Sequence, residues 1–363
     1  MILYDPHVDD NIFTPVSYFL GGRKALKKYL YIREALDGDD DFNIYISYKN
    51  SSLPISLTKY LPKFIFRIIV FLEVYFWLKL NNVDRKKIAK SFSNKNVFCF
   101  GYKKFDRFTH DEVRSARTFN IHITHYHTYS YNSIYLESNV NLLYDSDVKN
   151  HTYFKRKFIN YTKSIIVMPF YVQDRFYNTK LSYDRSGIAI TGTYHDISPF
   201  ESDFGIYNNG RVTLHPLRHD IATNIEKYAD CDFKIRLSLY SNPNSLIALF
   251  KKLRLYKQEN YFSFDICDFY SSSKFSLIAG EGTGSIAIGS LEAMATGCLP
   301  ILTEHEVKGL NIPSDAFFQF DGINFNHDAL KNIHICHEDI REIARKFNYE
   351  NSLLRYLKFY NEI

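Results

Sequence analysis

A chain of 363 residues with 45% hydrophobic content exceeds what one core usually organises and has enough apolar material for two domains, which excludes a disordered polypeptide. Its 45 Lys and Arg against 40 Asp and Glu leave a net charge of +5, spread along the chain instead of forming blocks, so nucleic-acid binding is not indicated. Five scattered cysteines (Cys99, Cys231, Cys267, Cys298 and Cys336) include no C-x-x-C pair; they support neither a disulfide frame nor a zinc site and fit a reducing cytoplasm.

In chain order, MILYDP predicts a strand and lacks the basic region and long apolar core of a signal peptide, so secretion is not expected. Thr14 to Leu36 predicts a helix, the acidic run Asp37 to Asp41 a solvated turn, and the alternating Phe42 to Tyr48 a second strand. Tyr60 to Leu80 is the most apolar stretch, yet Lys63, Arg67, Glu73 and Lys79 interrupt it within a membrane's width, so it is not a transmembrane span. Two readings remain: a basic aromatic helix at a membrane interface, or a buried helix of the first domain, the latter preferred.

Further strands are predicted at Asn96–Phe100, Asn120–Thr124, Val140–Tyr144 and Ile165–Met168, with Pro169 leading out and a linker from Asn178 to Ser186. The pattern then restarts. Gly187–Ile190 is a strand, Thr191-Gly192-Thr193 a turn, and Arg211–Leu214, Asp232–Leu239, Phe275–Ala279 and Ala316–Phe320 are strands, before one or two closing helices over His337–Phe359. Strands alternating with helix-length segments predict parallel sheets with helical crossovers: an α/β protein of two Rossmann-like doubly wound domains, 1–180 and 181–345, followed by a terminal helix at 346–363. The abundant Tyr and Phe are of a kind that lines sugar sites, but core packing explains most of them and no function is drawn from them.

Phe275 to Leu302, FSLIAGEGTGSIAIGSLEAMATGCLPIL, reads as strand, glycine loop, helix, glycine turn and strand. Gly280, Gly282 and Gly284 let the backbone approach a ligand, and the helix turns N–H groups and a partial positive charge toward it, worth about 0.5 to 1 kcal/mol per nearby charge. That is a phosphate cradle. No Gly-Lys-Ser/Thr follows, so it is not a nucleoside triphosphatase loop.

At Glu281, Gly282, Gly284, Glu292, Ala293, Ala295, Gly297 and Pro300 the chain resembles the C-terminal domain of GT-B fold glycosyltransferases, in which a Glu-Gly-x-Gly loop precedes a helix carrying Glu-Ala-x-Ala-x-Gly-x-x-Pro and grips a nucleotide sugar. Glu281 and Glu292 are eleven positions apart, where many retaining members have eight; the spacing and the Gly-Cys-Leu-Pro ending are closer to exostosin-like and bacterial surface-polysaccharide transferases. The resemblance implies a cleft between an acceptor-side and a nucleotide-sugar domain, a terminal helix crossing back onto the first, and a Glu292 carboxylate accepting from ribose hydroxyls.

Glycosyl transfer needs the leaving nucleotide stabilised and an acceptor hydroxyl deprotonated. Gly282, Thr283, Gly284 and Ser285 offer backbone donors and, at Ser285, a hydroxyl. In RVTLHPLRHD, His215 and Arg218 stand at a predicted strand edge, and Arg218 is the preferred phosphate clamp because a guanidinium suits a diphosphate. A solvated Arg is the plain alternative. Gly192 lets the backbone near the donor, and His195 is an acid, a base, a stabiliser of the leaving oxygen or simply solvated. His125 and His127, at the end of the strand that also holds His122, are candidate bases or packing residues; no third ligand completes a metal set. Asp145-Ser146-Asp147 is the feature that favours a metal-dependent GT-A transferase instead. The preferred reading is a cytoplasmic GT-B glycosyltransferase, at the inner face of the membrane if 60–80 touches it, that needs no metal because the helix N-terminus and Arg218 take the cation's role. Its partners are a nucleotide-sugar donor and a glycan or lipid-linked acceptor of O-antigen or capsule type. A nucleotide- or glycan-binding protein without turnover is the non-catalytic alternative.

Overall fold

The structure, a computed structural model, describes residues 1–4, 35–36, 41–46, 59–80, 82–100, 108–123, 126, 133–182, 184–195, 215–240, 264–278, 282–322 and 325–362. Along β1 (Ile2–Tyr4) alternate side chains enter different cores, Ile2 and Tyr4 one cluster, Met1 and Leu3 the other, as the two-residue period of an extended chain requires. Strands apolar on both faces need cover on both faces, which favours a parallel sheet between helices.

Among the described residues seven strands satisfy that demand. They are β1, β2 (Asn43–Tyr45), β3 (Ile88–Ala89), β4 (Asn96–Phe100), β5 (Thr118–His122), β6 (Val140–Tyr144) and β7 (Ile166–Val167), parallel throughout in the order 3-2-1-4-5-6-7. Helix α1 (Lys63–Leu80) covers the Met1 and Leu3 face with Val70, Val74 and Leu78. On the Ile2 and Tyr4 face, α2 (His110–Ser115) contributes Val113 and α3 (Thr152–Lys157) Tyr153 and Phe154. The rings of Tyr4, Phe92, Phe108 and Phe119 meet edge to face at 4.8 to 5.6 Å, so much of the aromatic content is core packing.

A short helix, α4 (Asp174–Tyr177), leads to the second sheet: β8 (Ser186–His195), β9 (Phe233–Tyr240), β10 (Ser273–Ser276), β11 (Leu299–Leu302) and β12 (Phe318–Gln319) among the described residues. These are parallel in the order 9-8-10-11-12. Around them stand α5 (Pro216–Thr223), α6 (Ile266–Ser271), α7 (Ile288–Ala295), α8 (Glu304–Val307) and α9 (His337–Ala344), packed over one core centred on Ile188, Ile190, Leu291, Met294 and Ile301.

The chain's end, α10 (Arg355–Glu362), returns to the first domain. Leu353 and Leu357 enter the core beneath α1, and Asn96 Nδ2 donates to Tyr360 O at 2.6 Å. Val172 N–H donates to Phe347 O at 2.7 Å, fastening the stretch after β7 to the returning segment.

The predicted turn at Thr191-Gly192-Thr193 is strand instead. β8 runs on to His195 because Ile188 through His195 pair with Phe233 through Tyr240, and Gly192, at φ +124, takes a backbone angle that other residues resist. β5 begins two residues earlier than predicted, held by pairing of Thr118–His122 with Asn96–Phe100. The predicted helix Thr14–Leu36 is described only at 35–36, and most of the acidic turn at 37–41 and the predicted strand Arg211–Leu214 lie outside the described residues.

Candidate functional site between the two sheets

In the second sheet β8 and β10 are adjacent while the order runs outward from them in both directions, so the crevice beyond their carboxyl ends is the topological switch point where open α/β sheets hold ligands. The segment leaving β10 there is the predicted cradle. It feeds α7, whose cap residue Ala287 offers no side-chain hydrogen bond and whose first turn holds no acidic residue. The first N–H groups of such a helix are directed at whatever lies in front of it. Gly289 permits the approach of α7 to the sheet: a Cβ there would meet Tyr270 Oη at 3.1 Å, and that hydroxyl is hydrogen-bonded to Thr191 Oγ1 of β8 at 2.7 Å.

The loop before α7 is fastened to the opposite domain. Tyr144 Oη, at the end of β6, donates to Ser285 Oγ at 3.0 Å and lies 3.1 Å from Thr283 Oγ1, while Tyr126 Oη donates to Thr283 O at 3.1 Å. Ser146 Oγ accepts from Ile286 N–H at 3.1 Å and donates to Glu306 O at 2.7 Å. Gly282, Thr283 and Ser285 are buried, and the hydroxyls of Thr283 and Ser285 are turned to Tyr144.

Gly284 adopts φ +74, and a Cβ there would stand 2.9 Å from Cδ2 of His151. His151, of the first domain, meets His305, of the second, edge to face at 5.8 Å. Burial, reinforced by the charge of His305, pushes the His151 imidazole down to about 4, so it is neutral at physiological pH. Tyr126, Tyr144, Ser146, His151 and His305 were not read from the sequence as site residues. All but His305, which closely follows the cradle segment, come from parts of the chain remote from it, and only the Asp-Ser-Asp run around Ser146 stood out, for another reason.

Gly192 and Arg218, singled out separately in the sequence, are neighbours. A Cβ on Gly192 would fall 2.5 Å from Arg218 Nη1, and that nitrogen donates to Thr193 O at 2.9 Å. Arg218 lies in α5, which starts at Pro216 because proline's fixed φ suits a first helical turn; its guanidinium reaches Thr193 near the carboxyl end of β8, and it is 4% exposed, not solvated. His215 is the residue preceding that helix and is buried as well. Glu292 is the fifth residue of α7 and 3% exposed, so it is not a surface carboxylate.

Asp145 and Asp147 are engaged locally. Asp145 Oδ1 accepts from Phe170 N–H at 3.1 Å and lies 3.5 Å from Nε2 of His122, which is also 2.9 Å from Met168 O. Asp147 accepts from Lys149 N–H at 3.2 Å and its N–H donates to Lys308 O at 2.9 Å. The run that suggested a metal-dependent GT-A enzyme thus ties β6 to the linker and to the second domain. Glu281, His125, His127 and the side chain of His195 lie outside the described residues.

Two parallel α/β domains, carboxyl ends of their strands opposed, with the terminal helix returned to the first: this is the GT-B fold. No family model and no curated relative matches the sequence. Among solved structures the chain is similar to a glycosyltransferase from Rickettsia africae ESF-5, at 13% identity and TM-score 0.46, covering 99% of this chain and 97% of that one. It is similar also to sucrose-phosphate synthase from Thermosynechococcus elongatus, at 12%, TM-score 0.48, and 99% and 98% coverage. A third is the lipopolysaccharide outer core galactosyltransferase WaaB in its apo form, at 10%, TM-score 0.43, and 98% and 97% coverage.

Proposed function

We propose that this chain is a glycosyltransferase that moves a sugar from a nucleotide-sugar donor to a glycan or lipid-linked glycan in bacterial surface polysaccharide synthesis, of O-antigen or capsule type. The observation that carries the reading is the uncapped N-terminus of α7 at the β8/β10 switch point, preceded by the Gly282–Ser285 backbone and opposed by the first domain.

On this reading the donor's diphosphate sits against the N–H groups of the loop and of α7, where charge building on the leaving group is met by dipoles already in position. Arg218, with Gly192 beneath it, adds a cation, and His215 stands at the entrance of the same helix. Glu292 accepts from the ribose hydroxyls, and Glu281 takes part in holding the donor. His195, His127 and His125 are the candidates for proton transfer with the acceptor hydroxyl. Helix N-terminus and Arg218 together serve where a metal would otherwise neutralise the diphosphate, so activity is expected without a divalent ion. A lipid-linked acceptor would bring the protein to the inner, cytoplasmic face of a membrane, with 60–80 as the contact.

The test is a thermal-shift screen against UDP, GDP, CMP, dTDP and ADP, with and without Mn²⁺, repeated on Glu292→Gln. A nucleotide at about a hundred times its dissociation constant stabilises the fold by roughly 2.7 kcal/mol. A metal-independent shift with one nucleotide, reduced in the variant, supports the reading and names the donor class; no shift with any nucleotide overturns it.

A further inference from the structure

Helix α1 carries two apolar faces and, among the described residues, has a packed core against one. Val70, Val74 and Leu78 lie in the first-domain core, with Glu73 buried beside them. On the other side Phe64, Ile68, Phe71, Leu72 and Tyr75 are 45 to 65% exposed, and Tyr60, just before the helix, is 81% exposed. Positions 64, 68, 71, 72 and 75 fall within an arc of about 100° on a helix of 3.6 residues per turn. A helix face turned to water is ordinarily polar, so this stripe needs an apolar occupant.

The charge around the stripe says which. From Lys59 to Lys87 there are seven Lys and Arg against Glu73 and Asp84, a net of +5, the same as the +5 of the entire chain, so the rest of the protein is neutral as a whole. Glu73 is buried, and the Asp84 carboxylate is turned to the Lys86 N–H at 2.8 Å. Lys59, Lys63, Arg67, Lys79, Arg85 and Lys86 are exposed, and the Arg85 guanidinium lies 5.5 Å over the Phe71 ring at the border of the stripe. Among the described residues no helix is long and apolar enough to cross a membrane. Aromatic and aliphatic side chains in a strip bordered by cations match a bilayer interface, where rings enter the headgroup and acyl boundary and Lys and Arg meet lipid phosphates.

We propose that α1 lies in the plane of an anionic phospholipid surface, Phe64, Ile68, Phe71, Leu72 and Tyr75 inserted and Lys63, Arg67, Lys79 and Arg85 at the phosphate level. This deepens the membrane contact given above and rests on it, but binding to lipid requires neither donor nor acceptor and is measured without them.

The experiment is flotation of the full chain with vesicles of equal phosphatidylglycerol and phosphatidylcholine, and with vesicles of phosphatidylcholine alone. Three proteins are compared: the native chain, Phe64→Ser with Ile68→Ser, and Lys63→Gln with Arg67→Gln. All four positions face outward, and circular dichroism checks that the variants are folded. The native chain is expected to float with the anionic vesicles and far less with the neutral ones. At about fivefold per removed charge, the double charge variant is expected to partition about 25-fold less, and the apolar variant to stay at the bottom of the gradient. Absence of flotation on anionic vesicles overturns the proposal, as does flotation that neither variant reduces. Self-association of the free chain that disappears in the Phe64→Ser, Ile68→Ser variant would assign the stripe to a second copy and overturn it too. Nucleotide thermal shifts on the same samples separate the two readings: variants that lose flotation and keep the shift leave the donor site standing.

Discussion

The phenol of Tyr144, in the first domain, hydrogen-bonds the hydroxyl of Ser285, in the second, at 3.0 Å, and the Thr283 hydroxyl is within 3.1 Å of the same oxygen. One side chain therefore fixes two positions of the cradle loop from across the interface. Tyr144→Phe leaves both loop hydroxyls buried with only their mutual 3.4 Å contact remaining. The expected loss is about 1 to 2 kcal/mol, together with weaker nucleotide binding because the loop is no longer held. Urea midpoints and nucleotide titration calorimetry check both; an unchanged midpoint and affinity would mean that the bond contributes nothing.

Gly284→Ala combines two penalties. Its φ of +74 disfavours any L side chain, and the added Cβ would stand 2.9 Å from the His151 ring. Strain of this kind is of order 1 to 3 kcal/mol, and the nucleotide-dependent thermal shift is expected to vanish. Adding His151→Ala removes the contact and leaves the backbone strain, so the double variant should recover part of the stability. Recovery of all of it would show that backbone angle is irrelevant at this position.

His151 also sets a pH dependence. In the unfolded chain its imidazole takes up a proton near the ordinary value of 6.5, whereas in the fold burial and then the charge of His305 hold protonation off until about 4. The unfolded state thus binds more protons between these values, so stability is full above about pH 6.5 and falls as the pH drops toward 4. The fall from this residue is about 2 to 3 kcal/mol. His151→Asn should flatten that part of the curve in denaturation midpoints collected from pH 7 to pH 4; a curve of unchanged slope would reject the assignment.

Arg218→Lys keeps a charge and removes the guanidinium that reaches Thr193 O. Gly192→Ala keeps the guanidinium and pushes it aside, because the new methyl would meet Nη1 at 2.5 Å. Both are expected to weaken nucleotide binding about tenfold, the equivalent of one hydrogen bond to a charged group. If Arg218→Lys binds as tightly as the native chain, Arg218 is structural and the anion is held by the α7 N-terminus alone.

Strand positions followed from local pattern wherever strands were bounded by clear breakers: Asn96–Phe100 and Val140–Tyr144 match β4 and β6 end to end. The extension of β8 through Gly192 was hidden, because a glycine between two threonines reads as a turn until a partner strand, Phe233–Tyr240, is there to pair with it. At the site, the sequence of strand, loop and helix was legible since these elements are contiguous. Tyr126, Tyr144 and His151 were not, since each meets the loop from well over a hundred positions away and no local period marks them. Asp145 and Asp147 show the converse: a spacing that suggests a metal is used for main-chain contacts with Phe170, Lys149 and Lys308.

The hydrogen bonds that join Tyr126, Tyr144 and Ser146 to residues 283–286 bear on the timing of the proposed turnover. On the proposed function, a loop that holds the nucleotide and is bonded to the first domain couples departure of the spent nucleotide to separation of the domains. That event breaks several buried polar contacts at once, which makes it slow compared with diffusion out of an open groove. On that reading the ceiling on rate would be the frequency with which the interface comes apart, and Tyr144 and Ser146 would tune it from outside the chemistry.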